Sequence, residues 1–291
     1  MRVFITGATG FIGVAVCKEL IESGHQVLGL TRSEAGAQRL TSLGVEVHRG
    51  ELNDLESLKS GAAGADAVIH TAFIHDFSKF HANCEIDRRA IEAMGLVLAG
   101  STRPFIVTSG IPPTPGTLAT ELDTAPPHPL MPRLSEQTAI ALLAKGVSSA
   151  VMRLPQVHDP LKQGLVTYAI AIAREKGLSA YLGDGTNRWP AAHVSDVANL
   201  YRLALEQHEP GARWHAVAEE GVSMRAIAES LGRGLNLPVK SLTTEQAQAH
   251  FDWLAMLAAL DLSASSAITR KKLGWNPIGP TMLEDLEQRK Y

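Results

Sequence analysis

Along the first half of the chain, short unbroken apolar runs alternate with segments whose apolar residues recur every three or four positions. The runs are Val3-Phe4-Ile5-Thr6, His25 to Leu30, Val45-Glu46-Val47-His48, Ala67-Val68-Ile69-His70, Phe105-Ile106-Val107-Thr108 and Ala150-Val151-Met152-Arg153. They are too short for helices and rich in β-branched residues, so they read as strands. Helical spacing predicts helices from Gly13 to Ser23 (with Gly24 as the stop), Ala35 to Leu43, Leu55 to Ala62, about Lys79 to Leu98, and Ser135 to Ala144. Strands that do not alternate apolar with polar are covered on both faces. The order therefore predicts a parallel sheet with helices on either side.

The rhythm breaks between Ile111 and Pro132, a stretch holding seven prolines. That density predicts a long surface loop beside a ligand cleft. Past Pro160 the pattern turns to helices with short strands. Gly221 to Gly232 predicts an amphipathic helix and Phe251 to Leu260 a very apolar one. The expected architecture is an α/β fold: a doubly wound parallel sheet over residues 1–158, then a smaller α+β substrate-binding region over 159–291. A segment at about 192–208 is expected to pack back on the first domain.

Strand one and helix one are joined by Gly7-Ala8-Thr9-Gly10-Phe11-Ile12-Gly13. Gly7 allows a tight turn out of the strand. Gly10 lets a pyrophosphate reach the backbone, and Gly13 lets the helix pack closely on the sheet. The free N–H groups of the helix start then face the phosphates. A glycine triplet alone is weak, but one that follows a strand and opens a helix predicts a Rossmann-type dinucleotide site. Strand two ends in Leu30-Thr31-Arg32-Ser33, with no acid for the ribose hydroxyls. Arg32 instead offers a guanidinium to a 2′-phosphate, so NADP is expected over NAD, with Glu34 near enough to leave NAD open.

Composition narrows the partners. With 45% hydrophobic and 20% charged residues in 291, a large core is feasible. A net charge of -3 supplies no basic surface for nucleic acid. Two cysteines, Cys17 and Cys84, suggest no disulfide framework and fit a reducing, cytoplasmic setting. No apolar stretch is long enough to predict a membrane span. No metal-ligand spacing and no Gly-x-Ser-x-Gly turn occurs, so no metal is expected.

The glycine turn and several later segments together resemble the extended short-chain dehydrogenase/reductase superfamily, also called the NAD-dependent epimerase/dehydratase family. Gly50-Glu51-Leu52-Asn53-Asp54 is similar to its acidic motif after strand three, with Glu51 for the usual Asp. His70-Thr71-Ala72 matches its small-residue turn after strand four. Arg153-Leu154-Pro155-Gln156-Val157-His158 is similar to its Arg-Pro-x-x-Val-Tyr-Gly segment, His193 to Ala198 to its His-Val-x-Asp-Val-Ala motif, and Leu273 to Pro277 to its Leu-Gly-Trp-x-Pro. The resemblance spans nearly the whole chain. It implies that Gly7, Thr9, Gly10, Phe11, Ile12 and Gly13 hold the cofactor. It adds Glu51 and Leu52 at the adenine, and Thr71, Ala72, Thr108, Pro155 and Val157 along the cofactor. It also implies a small-molecule substrate, and a homodimer through the helices at Lys79 to Leu98 and Ser135 to Ala144.

One departure outweighs these agreements. The family's catalytic pair is Tyr-x-x-x-Lys, and none of Tyr168, Tyr181, Tyr201 and Tyr291 has a lysine four residues later. Counting back from Arg153 by the family's spacing lands on His128, with Glu136 falling on the family's glutamate. Pro132 takes the lysine position, next to Arg133. His128 is then the candidate proton donor and Arg133 the fixed positive charge. The plain alternative is a solvated loop histidine and a helix-start arginine. Ser109 stands beside the family's serine position. His75, Phe77 and His158 are candidates for the substrate rim, and Asn83 for a role near the cofactor. The expected function is an NAD(P)-dependent oxidoreductase for a small or moderately apolar carbonyl or alcohol, with NADP(H) preferred. The alternatives are a non-catalytic NADP(H)-binding redox sensor and a sugar-nucleotide epimerase or dehydratase.

Overall fold

Nearly every strand and helix expected in the first half forms. The computed structural model describes residues 1–114, 116–124 and 132–291. The order begins β1 (Arg2–Thr6), α1 (Phe11–Glu22), β2 (Gln26–Thr31), α2 (Glu34–Ser42), β3 (Glu46–Arg49), α3 (Leu55–Ala63) and β4 (Ala67–His70). It continues with a 3-10 turn (Phe77–Lys79), α4 (Phe80–Leu98), β5 (Ser101–Gly110), α5 (Ser135–Leu143), β6 (Val147–Leu154) and β7 (Gln156–His158). Next come α6 (Val166–Lys176), β8 (Ser179–Leu182), β9 (Arg188–His193), α7 (Val194–Glu206), β10 (Arg213–His215) and β11 (Glu219–Ser223). The chain ends with α8 (Met224–Leu235), β12 (Val239–Leu242), α9 (Thr244–Phe251), a second 3-10 turn (Asp252–Leu254), α10 (Ala255–Ala258), α11 (Ala267–Leu273) and α12 (Met282–Gln288).

The main sheet has seven strands in the order β10-β6-β5-β4-β1-β2-β3. Its pairings from β3 through β5 are parallel. The strand order reverses between β1 and β4, so their carboxyl ends flank the crevice where ligands bind in such sheets. Val3, Phe4, Ile5, Val68, Ile69, Phe105, Ile106 and Val107 are fully buried. Each large apolar side chain of this kind contributes about 1.5–3 kcal/mol, and coverage on both faces is why these strands carry no alternation.

The chain forms two compact units. One holds the described residues of Met1–Gly110, Pro126–Arg153 and Val197–Trp214; the other holds those of Ile111–Ala125, Leu154–Asp196 and His215–Tyr291. The second unit carries a three-stranded sheet, β11-β9-β7, and a parallel pair, β12-β8.

Three expectations need correction. Gly221 lies in β11, and the amphipathic helix starts only at Met224, where Ser223 Oγ accepts from Ala226 N at 3.1 Å. Phe251 to Leu260 is not one helix, because Asp252 takes a φ of 50° and breaks it. The proline-rich stretch is not a surface loop throughout. Ala119 bridges to Ala264, and buried Glu121 accepts from Thr269 N and Oγ1 at 2.7 Å each. Among the described residues no helix is long and apolar enough to cross a membrane.

Candidate functional site

The glycine turn forms at the carboxyl end of β1. Gly7 has a φ of +72°, a conformation that costs other residues about 1–2 kcal/mol. A Cβ there would also lie 2.7 Å from Ala72 N. At Gly10 a Cβ would stand 3.0 Å from Gly7 O, and at Gly13 only 2.1 Å from that same oxygen. Gly13 is therefore needed for the turn to fold onto its own helix, a different reason from helix–sheet packing. Gly10 caps α1 with no side chain of its own, so the cap position itself leaves the backbone at the start of the helix uncovered. Bare backbone at a helix start, flanked by glycines, fits a diphosphate.

The end of β2 forms the neighbouring wall. Arg32 is exposed, Ser33 Oγ caps α2 by accepting from Gly36 N, and Arg39 Nη1 donates to Thr9 O at 3.4 Å. Arg49 on β3 lies in register with Thr31 and pairs with Glu34. The acid that left NAD open is thus engaged by an arginine. Glu51 is exposed and Leu52 half-buried, just before Asp54, which caps α3. Neither cysteine offers a nucleophile near neutrality, since burial pushes Cys17 up to about 12 and Cys84 to about 11.

At the crevice a chain of polar groups links three strand ends. Ala72 N donates to Thr6 Oγ1 at 3.4 Å, and Thr6 Oγ1 lies 2.7 Å from His70 Nδ1. His70 Nε2 lies 3.1 Å from Asp87 Oδ1, Ser135 Oγ donates to Asp87 Oδ2 at 2.5 Å, and Arg133 Nε donates to Ser135 Oγ at 2.8 Å. Arg133 Nη2 donates to Thr108 O at 3.1 Å, and its guanidinium lies 4.2 Å from the Phe73 ring centroid. Thr108 Oγ1 meets the fully buried Tyr201 phenol at 2.6 Å. Burial pulls the Asp87 carboxyl up, but His70, Arg133 and Ser135 together hold it below the usual range. Burial pushes the Tyr201 phenol well above its ordinary value, more than Thr108 and Arg133 offset.

Of the sequence candidates, Thr71, Ala72, Thr108 and Arg133 converge here. Ser109 is partly exposed at the end of β5. His75 and Phe77 join an aromatic group with Phe73 and Phe80, and the Phe73–His75 centroids are 5.3 Å apart. His128 lies outside the described residues. Asn83 instead braces the entry to α4, donating to Asp76 O at 2.8 Å. Asp87, His70 and Tyr201 were not singled out from the sequence.

Comparison with known proteins fits this geometry. The family described as NAD dependent epimerase/dehydratase matches residues 3–217. The chain belongs to that family. An uncharacterized protein of Schizosaccharomyces pombe, C2A9.02, is 44% identical over all of both chains. The 2-alkyl-3-oxoalkanoate reductase of Stenotrophomonas maltophilia is 28% identical, covering 73% of this chain and 67% of that one. The solved structure of the Thermus thermophilus UDP-glucose 4-epimerase in complex with NAD shares the fold, with a TM-score of 0.75, 18% identity, and coverage of 100% and 98%.

Other residues to which the epimerase/dehydratase resemblance points make contacts within the protein. Arg153 is fully buried, and its Nε and Nη2 donate to Glu136 at 2.8 and 2.7 Å; Arg213 Nε reaches the same carboxylate at 2.7 Å. Burial raises the Glu136 carboxyl, but the two arginines outweigh it and hold it low. Removing one partner of such a pair strands a buried charge. Glu136→Ala is expected to destabilise the protein by about 3 kcal/mol, read by urea unfolding. A loss near zero would deny that the pair matters to stability.

Pro155 is half-buried, and Val157 is buried within β7 in register with Ala192. His158 has no exposed surface, so it is not part of a substrate rim. Its Nδ1 lies 2.6 Å from Asp285 Oδ2, a partner far along the chain. Asp196 accepts from Ile278 N and Gly279 N, and Trp275 Nε1 donates to Asp196 O, which ties two of the family's motifs together. Burial lowers the His158 pKa from 6.5, more than Asp285 restores. The unfolded chain then binds the extra proton first. The stability this group contributes is full above about 6.5 and lost as pH falls toward the lowered folded value. Burial raises the Glu219 carboxyl, which gives the opposite slope. Denaturant melts of wild type and His158→Gln across pH 5–8 isolate the histidine, whose removal is expected to flatten the loss on the acid side. Parallel curves would contradict it.

Proposed function

We propose that this chain is an oxidoreductase that interconverts a carbonyl and an alcohol with NADP(H), on a small or moderately apolar substrate. The observation that carries this reading is Arg133. A fixed guanidinium is held at the carboxyl end of β5, and the crevice of the same sheet carries the bare glycine turn. The bound cofactor would supply or accept the hydride. Gly7, Gly10 and Gly13 would seat its diphosphate, with Thr71 and Ala72 alongside. Arg133 keeps N–H groups that donate to neither Ser135 nor Thr108. In this reading they polarise the substrate oxygen and stabilise the charge that develops on it. An arginine does not give up its proton near neutrality. His128 is therefore assigned the proton transfer, and Ser109 the role of an assisting hydroxyl. Phe73, Phe77 and Phe80 suit an apolar substrate body, and the similarity to a 2-alkyl-3-oxoalkanoate reductase supports the same reading.

Preference for NADP(H) is supported by exposed Arg32 and by Arg39 beside Thr9, with Glu34 paired to Arg49. Arg32→Ala is expected to weaken NADPH binding about tenfold and leave NADH binding unchanged, as measured by fluorescence titration. Equal effects on both cofactors would remove the assignment. The absence of a tyrosine followed by lysine at the fourth position favours a second reading, in which the chain binds NADP(H) without turnover. NADPH consumption across a panel of carbonyl compounds, with wild type, His128→Ala and Arg133→Ala, separates the two. Turnover that collapses in both variants supports the enzyme. Saturable NADPH binding with no wild-type turnover supports the sensor.

A further inference from the structure

We propose that Asp87 is a positioning residue, which holds the Arg133 guanidinium in place through the Ser135 hydroxyl and balances its charge without occupying its ligand-facing donors. This rests on the reading of Arg133 given above.

Asp87 sits on α4 and is 1% exposed, so its carboxylate requires partners to be tolerated. It has two, and the direction of each bond follows from its ionisation. An ionised carboxylate only accepts, so Ser135 must donate to it at 2.5 Å. The Ser135 oxygen then accepts from Arg133 Nε at 2.8 Å. His70 likewise donates its Nε2 proton to Asp87, and its Nδ1 lies 2.7 Å from Thr6 Oγ1. Thr6 Oγ1 in turn accepts from Ala72 N.

The geometry matters because a direct arginine–carboxylate fork takes two donors on one edge. Here a hydroxyl stands between the charges, and a single donor, Nε, is used. Thr108 O takes one proton of Nη2 at 3.1 Å, and the Phe73 ring backs one face. These three contacts fix the plane, and among the described residues no acceptor takes the Nη1 group.

The test is a double-mutant cycle with a structural readout. Asp87→Asn and Ser135→Ala are each expected to lower kcat about tenfold to hundredfold, by letting the guanidinium drift, with NADPH affinity kept. In an Arg133→Ala background either change is expected to add nothing, because it acts only through the arginine. Additive losses would overturn the proposal. If Arg133→Ala itself leaves kcat intact, the functional reading fails; if Arg133→Ala is severe but Asp87→Asn and Ser135→Ala are silent, only the positioning role fails. The Arg133 Nε–H resonance of the cofactor-free protein gives an independent readout. It is expected to be slow to exchange with solvent in wild type and fast in Ser135→Ala and Asp87→Asn. An unchanged exchange rate in both variants would also overturn the proposal, whatever the turnover.

Discussion

Replacing Arg133 with alanine is expected to lower kcat for carbonyl reduction by about two to three orders of magnitude, the usual loss when a donor to a developing oxyanion is removed. The NADPH dissociation constant is expected to stay within about twofold, since the side chain is assigned to the substrate oxygen and not to the cofactor. Arg133→Lys keeps the charge but not the planar fork, and cannot make the Ser135 and Thr108 bonds together with the Phe73 stack. It is expected to recover only part of the loss. Stopped-flow and steady-state NADPH oxidation measure both variants. A kcat near wild type in Arg133→Ala would place the chemistry elsewhere in the crevice.

The second large effect is expected at Gly13. A methyl group there would fall 2.1 Å from the Gly7 carbonyl oxygen, a backbone atom at the hinge of the turn. Overpacking of this kind costs about 1–3 kcal/mol, and the turn must open to relieve it. Opening moves the helix start away from the phosphates, so Gly13→Ala is expected to weaken dinucleotide binding about tenfold to hundredfold. The Gly24→Ala control is a useful contrast. It has a positive φ, but a Cβ there meets nothing within 4 Å, so cofactor affinity is expected to be kept. Calorimetric titration of the two variants would show the difference, and equal affinities would deny the turn its role.

The first unit was legible because its signals are local. Buried parallel strands print as apolar runs, the helices between them as a three-to-four spacing, and the phosphate turn as three glycines. The departures come from partners far apart in sequence. Tyr201 reaches Thr108 across 93 positions, which no spacing along the chain announces. His158 has the register of a site residue, yet Asp285, 127 positions away, holds it in the interior. Asp87 did leave a trace. It falls on the face of α4 shared by Cys84, Ala90, Ile91 and Met94, where a carboxylate among apolar neighbours signals a buried partner. Gly221 to Gly232 was misread because β11 ends only at Ser223, where the cap of α8 stands. That boundary is decided by pairing with β9, not by the local pattern. Arg133 was reached only through a count from Arg153, but its three fixing contacts lie on β5, α5 and the segment after β4.

Isothermal titration of the cofactor-free protein with NADPH and NADH, alongside Gly10→Val, addresses the proposition on which the rest depends. A saturable isotherm for wild type, tighter for NADPH than for NADH and absent in the variant, is the predicted result. Flat traces at millimolar concentrations of both reduced and oxidised cofactors would contradict the account.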